Sequence, residues 1–276
     1  MTEIPQAKLN NGITMPQLGL GVFAIPDGKE VREAIKIAFN EGYRSIDTAT
    51  VYGNEKGVGQ AIEESNIPRE EIFLTTKVWN NDQGYDATLK AFQQSMDRLG
   101  VDYVDLYLIH WPVKGKYNDT WKALEKLYHD GRVRSIGVSN FKVHHLEALF
   151  KTAKVAPAVN QIELHPYLVQ KELRDFCAQH DIKIEAWSPL GRGAVLGDPT
   201  LIQLGQKYGK SAAQVTLRWH IQYGIITIPK SSRAERIKEN ISIFDFDLEQ
   251  GDMDIIDGLN RNHRIGPDPD NFSFSL

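Results

Sequence analysis

Cysteine is nearly absent from this chain of 276 residues, because Cys177 is the only one. Disulfides within the chain and clusters held by several cysteines are therefore excluded. Cys177 lies in a pattern of helical spacing, and we interpret it as a packing residue. Any redox chemistry must then come from a bound cofactor.

Long apolar runs and an excess of charge of one sign are also missing. No run approaches the roughly 18 apolar residues of a membrane span, and the N-terminal segment has no signal-peptide core. The formal net charge is -4, without a strongly basic half, which argues against nucleic acid or an anionic membrane surface as a partner. We therefore expect a cytosolic monomer that acts on a small molecule.

Apolar residues make up 41% of the chain and charged residues 25%, a composition typical of a globular protein with a large core. Eight short runs rich in Ile, Val, Leu and Thr read as strands, and helical patterns lie between them. The runs fall near residues 18–21, 45–49, 72–78, 104–110, 134–139, 157–161, 182–187 and 224–229. This alternation predicts one (β/α)8 barrel, a single domain over residues 1–276.

The helical patterns have clear ends. Val31, Ala34, Ile35, Ala38 and Phe39 form one apolar stripe that ends at Gly42, a residue suited to a helix C-terminus.

Additions to the eight repeats are also predicted. We expect an extra helix before the last strand, since residues 199–208 and 211–222 both have helical patterns, and a trailing helix near 248–260. Leu9 to Leu18, with Asn10-Asn11-Gly12 at its centre, predicts a small hairpin ahead of the barrel.

Polar residues stand where several of the predicted strands end. Lys77, His110, Asn140, Gln161 and Lys230 lie at or next to these ends, and Asp47 lies slightly deeper. The carboxyl-terminal rim of such a barrel carries the chemistry because the loops after the strands converge there. The sequence therefore predicts a site at this rim.

Asp47, Tyr52, Lys77 and His110 come from neighbouring strands and one loop, so we expect them to face one another. A buried carboxylate and ammonium are costly unless paired, which predicts an ion pair between Asp47 and Lys77. At ~4 Å and an effective dielectric of ~20, the ammonium would lower the pKa of Tyr52 by roughly three units before desolvation is subtracted. Tyr52 is then expected to act as a general acid, with His110 orienting a substrate oxygen.

A tyrosine acid beside a carbonyl site calls for a hydride donor, for which nicotinamide is the natural candidate. Where the eighth strand meets its helix, two cations and two hydroxyls suit a phosphomonoester: Lys230, Ser231, Ser232 and Arg236, with Asn240 further along. Trp187 could stack on a flat ring, although a core tryptophan fits the sequence equally well.

At these residues the chain resembles the aldo-keto reductase family over nearly its whole length. The resemblance rests on Gly19-Leu20-Gly21, on residues 42–49, on Gly137-Val138-Ser139-Asn140-Phe141 and on Ile228-Pro229-Lys230-Ser231, and Asp47, Tyr52, Lys77 and His110 match the family's catalytic tetrad. It implies NADPH as cofactor and small aldehydes, ketones and dicarbonyls, such as methylglyoxal or diketo sugar acids, as substrates.

The resemblance also implies roles for individual residues. Ser139, Asn140 and Gln161 would hold the nicotinamide carboxamide, Trp187 would stack on its ring, and Ser188 and Leu190 would follow along the cofactor. Lys230, Ser231, Ser232 and Arg236 would bind the 2′-phosphate and Asn240 the adenine. Phe23, Tyr52, Trp79, His110 and Trp111 would line the substrate pocket, and Phe23 departs from the tryptophan of many relatives.

Four alternatives are weaker. Gly19, Gly21 and Ala24 have the spacing of a dinucleotide-binding turn, but a loop separates them from the next helix. The eight histidines include no HxH or HExxH pair, so no metal is expected. A Schiff base at Lys77 is a third alternative, and a cofactor-binding regulatory subunit, as in some family members, is a fourth.

Overall fold

The structure, a computed structural model, describes residues 4–272, and within them eight parallel strands form one sheet. They are β3 (Leu20–Gly21), β4 (Ser45–Asp47), β5 (Phe73–Val78), β6 (Val104–Ile109), β7 (Val133–Ser139), β8 (Val159–Glu163), β9 (Lys183–Trp187) and β10 (Ile226–Thr227). Each pairs with its neighbour in the chain, and parallel bridges from Leu18 to Thr227 and from Gly21 to Lys230 join the first strand to the last. The predicted closed barrel is therefore confirmed.

Helices follow the strands around the barrel. They are α1 (Lys29–Asn40), α2 (Glu55–Glu64), α3 (Tyr85–Leu99), α4 (Tyr117–His129), α5 (Val143–Phe150), α6 (Lys171–Gln179), α7 (Pro199–Tyr208), α8 (Ala212–Gln222), α9 (Ala234–Ile241) and α10 (Gln250–Asp257). The pair α7 and α8 precedes β10, and α10 follows α9, so both predicted additions are present. No helix within residues 4–272 has the length and apolar character needed to cross a membrane.

Helix α1 illustrates how an apolar stripe in the sequence predicts a helix and its buried face. The five residues of its predicted apolar stripe are all buried in the core. The chain leaves the helix through Gly42, whose φ of 103° lies in the left-handed region that glycine adopts without strain.

The N-terminal hairpin begins earlier than predicted. Its strands are β1 (Gln6–Lys8) and β2 (Thr14–Pro16), so the turn at Asn10-Asn11-Gly12 was placed correctly but the first strand was not. The hairpin buries Ala7, Leu9 and Met15 against residues near the amino ends of the barrel strands, including Phe73 and Val159. It therefore covers the amino end of the barrel.

The dinucleotide-binding alternative at Gly19 and Gly21 is wrong, because β3 belongs to the closed barrel. The glycine at position 21 instead allows β3 to approach the backbone at Ile228, because a Cβ at this position would lie 2.8 Å from the carbonyl oxygen of Ile228. Ala24 lies in a loop, with α1 starting only at Lys29.

Candidate active site

The strands bring the predicted residues to one rim. Asp47 ends β4, Lys77 is the penultimate residue of β5, His110 follows β6 and Ser139 ends β7. In the register of the parallel sheet, Ser139 lies beside Gln161 of β8. Because carboxyl ends of parallel strands meet at the same edge, these side chains share one surface at the top of the barrel.

Lys77 is fully buried and holds the centre of the site. Its Nζ lies 2.6 Å from Asp47 Oδ1 and donates to the backbone oxygen of Thr48 at 2.9 Å. Burial alone would favour the neutral amine, but the charge and hydrogen bond of Asp47, together with the other acidic groups nearby, outweigh it, and the pKa of Lys77 is raised. The predicted ion pair is present, and Lys77 carries a charge.

Tyr52 lies in a short 3-10 turn, Thr50–Tyr52, with its hydroxyl 3.4 Å from Lys77 Nζ. Burial raises the pKa of Tyr52, and the Lys77 ammonium lowers it, but the balance lies above the ordinary value. The expectation of a net lowered pKa was wrong because desolvation in this buried pocket exceeds the attraction of a single ammonium. Tyr52 thus keeps its proton, which a general acid must do until its substrate arrives.

His110 is a neutral ring next to Tyr52. Burial, followed by the Lys77 charge, lowers its pKa well below the ordinary value. Its Nδ1 is buried without a hydrogen-bond partner among residues 4–272. A hydrogen there would have no acceptor, so we assign it to Nε2, which can then donate to a substrate oxygen.

Aromatic rings surround this centre, and they include the residues predicted to line the substrate pocket. The ring centroid of Phe23 lies 5.1 Å from that of Tyr52, and that of Trp79 lies 5.1 Å from that of His110. The ring of Trp111 stacks on Phe272 with their centroids 3.9 Å apart, a contact that the sequence did not reveal. Phe23 is 54% exposed, so its ring is accessible to solvent.

The predicted carboxamide-binding residues form one hydrogen-bonded group. Ser139 Oγ donates to the backbone oxygen of Gln161 at 2.8 Å, and Asn140 Nδ2 donates to that of His110 at 3.0 Å. Trp187 Nε1 donates to Asn140 Oδ1 at 2.8 Å, which fixes one end of the indole. Asn140 has a φ of 64°, a left-handed conformation that is uncommon outside glycine and that recurs at functional sites.

Gln161 connects Asp47 to Glu185 through two hydrogen bonds. Its Nε2 donates to Asp47 Oδ2 at 2.7 Å and to Glu185 Oε2 at 2.8 Å. Glu185 is fully buried, and this burial, with the charge of Asp47, raises its pKa to about 8. Sequence reasoning missed Glu185, although a carboxyl in the middle of the predicted strand 182–187 was a visible signal.

The loop after β9 continues past the rim. Ser188 has a φ of 48°, and its backbone oxygen accepts from the N–H of Gly191 at 2.8 Å. Leu190 is partly buried against the core and precedes the 3-10 turn Gly191–Gly193. Both residues lie on the path predicted for the cofactor.

The residues expected at the 2′-phosphate lie at the start of α9. Lys230, Ser232 and Arg236 are exposed, Ser231 is buried, and Asn240 lies buried one turn beyond Arg236. Within residues 4–272, neither cation forms an ion pair, and no side chain caps α9. Two unpaired cations beside free helix N–H groups suit a phosphate, so the donor set fits NADPH.

Lys230 lies near Asp47 across the closing seam of the barrel. Gly21 of β3 pairs with Asp47 on one side and is bridged to Lys230 on the other. One strand, β3, therefore separates the first residue of the predicted phosphate site from Asp47 of the predicted catalytic group.

Among the described residues, one cluster has the composition of a metal site: His144, His145 and Asp270, with ligand atoms within 4.8 Å of one another. His145 Nδ1 accepts the backbone N–H of Lys142 at 3.1 Å, so its hydrogen resides on Nε2. That nitrogen has no lone pair for a metal, and Lys142 places a positive charge beside Asp270. The cluster is better described as an ion pair between Lys142 and Asp270 with two histidine rings beside it.

A family model described as the aldo/keto reductase family matches residues 17–261. The chain belongs to this family. It is 59% identical over 267 residues to glyoxal reductase of Bacillus subtilis, covering 97% of each protein. It is 46% identical to methylglyoxal reductase DkgA of Salmonella typhimurium, covering 96% of this chain and 97% of the relative. A solved mutant of Gox0644 in complex with NADPH is 46% identical, with a TM-score of 0.95, covering 99% of this chain and 100% of that one. The predicted family is therefore confirmed.

Proposed function

We propose that this protein is an NADPH-dependent reductase that converts small aldehydes, ketones and dicarbonyl compounds to alcohols. The observation that carries the proposal is the position of Lys77 Nζ, 2.6 Å from Asp47 and 3.4 Å from the Tyr52 hydroxyl, at the barrel rim. Family membership, the glyoxal and methylglyoxal reductases among its relatives, and the NADPH complex of a solved relative bear out the predicted activity and cofactor.

NADPH supplies a hydride when bound. We assign its 2′-phosphate to Lys230, Ser231, Ser232 and Arg236, its adenine to Asn240, and its nicotinamide end to Ser139, Asn140, Gln161 and Trp187. Ser188 and Leu190 would flank the part between them. The support for this assignment is the free cations at α9 and the connected hydrogen bonds from Ser139 to Trp187.

Tyr52 would give its proton to the carbonyl oxygen as negative charge develops there. The proton stays on the phenol beforehand, because burial raises the pKa of Tyr52. Lys77 would stabilise the phenolate that forms, and Asp47 keeps Lys77 charged. His110, neutral and with hydrogen on Nε2, would orient the oxygen by a hydrogen bond.

Schiff-base chemistry at Lys77 does not fit this geometry. A nucleophilic lysine has to lose its proton, whereas the carboxylate of Asp47 raises the pKa of Lys77.

Small dicarbonyls are the substrates we favour. Trp79 and Trp111 contact the His110 ring and Phe23 contacts Tyr52, so the carbonyl site has apolar walls, and Phe23 is exposed to solvent. Diketo sugar acids are the second class. A cytosolic location, a monomeric state and a single domain stay predictions.

The decisive experiment replaces Tyr52 by Phe. The rate of NADPH oxidation with methylglyoxal should fall by about 100-fold or more, because general acids contribute roughly that much, while the Kd for NADPH stays within about twofold of the parent. Tyr107→Phe is the matched control, since Tyr107 is also buried and its hydroxyl has no partner among residues 4–272. Equal turnover by Tyr52→Phe and Tyr107→Phe would remove Tyr52 from the mechanism.

A further inference from the structure

The last described part of the chain, residues 261–272, crosses the top of the barrel, and we call it the C-terminal strap. Its backbone N–H groups at Ile265 and Gly266 donate to the two carboxylate oxygens of Glu163 at 2.6 and 3.0 Å. Glu163 is fully buried at the end of β8. Burial opposes its ionisation, but hydrogen bonds from His165 and from the strap lower the pKa of Glu163. A buried, ionised carboxylate thus fixes the strap at this point.

A second anchor holds the strap further along. Lys142 Nζ lies 2.6 Å from both Asp268 and Asp270, and Phe272 then stacks on Trp111 of the pocket. The strap is therefore fixed on both sides of Gly266, and its backbone has little freedom to move away there.

Gly266 lies directly against Trp187. A Cβ at this position would be 2.4 Å from Trp187 Cη2 and 3.1 Å from Cζ3, and the first of these distances is too short for any real contact. The opposite end of the indole is held by the hydrogen bond from Nε1 to Asn140. The rigid ring is thus confined at both ends, by the strap at its benzo ring and by the barrel at its nitrogen.

We propose that the C-terminal strap positions the Trp187 indole for the cofactor, with Gly266 as the positioning residue that allows the contact. The inference rests on the proposed function, because the ring that Trp187 meets is the nicotinamide. It adds that the strap, which also forms a wall of the carbonyl pocket through Phe272, sets the geometry of the cofactor site.

The test is a double-mutant cycle read by calorimetric titration with NADPH, which needs no turnover. Gly266→Ala should raise the Kd about tenfold, which is about 1.4 kcal/mol, because the new methyl group would displace the indole from its position. In a Trp187→Tyr background, Gly266→Ala should change the Kd by less than about twofold, because tyrosine lacks the outer ring atoms that the new methyl meets. Gly251→Ala, where a Cβ meets nothing within 4 Å, is the control and should keep the parent Kd.

Near-ultraviolet circular dichroism of the cofactor-free variants gives an independent readout. Gly266→Ala should alter the tryptophan bands, whereas Gly251→Ala should not. If Gly266→Ala does not fold, Glu163→Gln takes its place. The side-chain nitrogen of the glutamine cannot accept a hydrogen bond from a strap N–H group. The strap should therefore be released, and the Kd for NADPH should again rise.

The outcomes separate the two proposals. A parent that binds no NADPH overturns the proposed function and this inference with it. If the parent binds NADPH normally and Gly266→Ala has an unchanged Kd, the inference alone is overturned. The strap, and not the indole, has then moved to accommodate the new methyl group. Equal effects of Gly266→Ala with Trp187 and with Tyr at position 187 overturn it too.

Discussion

Two buried aspartates stand at opposite ends of the barrel in different surroundings. Asp105 is the second residue of β6, near the amino end, where Arg69 and Arg134 lie 2.7 and 3.0 Å from its two oxygens and the N–H of Leu74 also donates to it. Asp47, at the carboxyl end, faces the single cation Lys77 and shares the Gln161 amide with Glu185.

The difference lies in the balance of charge. At Asp105 there are two cations for one carboxylate, and both arginines are partly exposed. Among residues 4–272, its hydrogen bonds come from Arg69, Arg134 and the backbone of Leu74, and none comes from a tyrosine or a histidine. At Asp47 two carboxyl groups compete for one buried ammonium, and the pKa values of Tyr52, His110 and Glu185 are all displaced. A carboxylate whose charge is fully compensated by cations stabilises the fold. A carboxylate that shares one ammonium with a second carboxyl group leaves the neighbouring groups able to exchange a proton.

The largest expected effect comes from removing each aspartate's charge in turn. Asp47→Asn should lower kcat about a thousandfold, because Lys77 loses the carboxylate that keeps it charged beside Tyr52. Asp105→Asn should leave kcat within about twofold while lowering the free energy of unfolding by roughly 2 kcal/mol, less than for a fully buried pair because both arginines reach solvent. Kinetics and urea unfolding on both variants check this. A similar loss of kcat in the two variants would contradict a functional difference between Asp47 and Asp105.

A second effect, on stability and not on turnover, should follow from the surplus carboxyl at the rim. The pKa of Glu185 is about 8 in the folded chain, so the unfolded chain ionises this group first as pH rises. The parent therefore loses stability from about pH 4.5 up to about pH 8, whereas Glu185→Gln cannot ionise. The free energy of unfolding of Glu185→Gln relative to the parent should rise by roughly 1.4 kcal/mol per pH unit in this window. A constant difference between pH 5 and pH 8 would contradict a neutral Glu185.

The smallest effect concerns the cations near the start of α9, which form no ion pair with a carboxylate of residues 4–272. Arg236→Ala should weaken NADPH about tenfold and leave NADH nearly unchanged, because a hydrogen bond to a charged phosphate is lost. Lys238→Ala, also a loss of positive charge on α9, is the control and should spare both. The measurement is the Kd of each variant for NADPH and for NADH. Equal losses of affinity for the two nucleotides would mean that the 2′-phosphate binds elsewhere.

The rim site could be predicted because each residue marks the end of an apolar strand, a local signal. Asp47, Lys77 and His110 were found in this way, and the strand order then brought them together. Asp105 is also polar within an apolar run, but it lies near the amino end of β6, at the opposite end of the barrel from the rim.

What the sequence did not reveal depends on distant contacts or on burial. Glu163 contacts Ile265 across 102 positions of the chain, and Phe272 contacts Trp111 across 161 positions, so no local pattern signals either contact. The direction of the pKa shift of Tyr52 was also mispredicted, because the attraction of Lys77 could be calculated from charges alone, whereas desolvation requires the packed pocket.

The hairpin of β1 and β2 covers the amino end of the barrel, opposite the rim that holds Lys77. Its residues Leu9 and Met15 pack with Phe73 and Val159 at that end. Substitutions in the hairpin should therefore lower the free energy of unfolding and leave the chemistry at the rim unchanged.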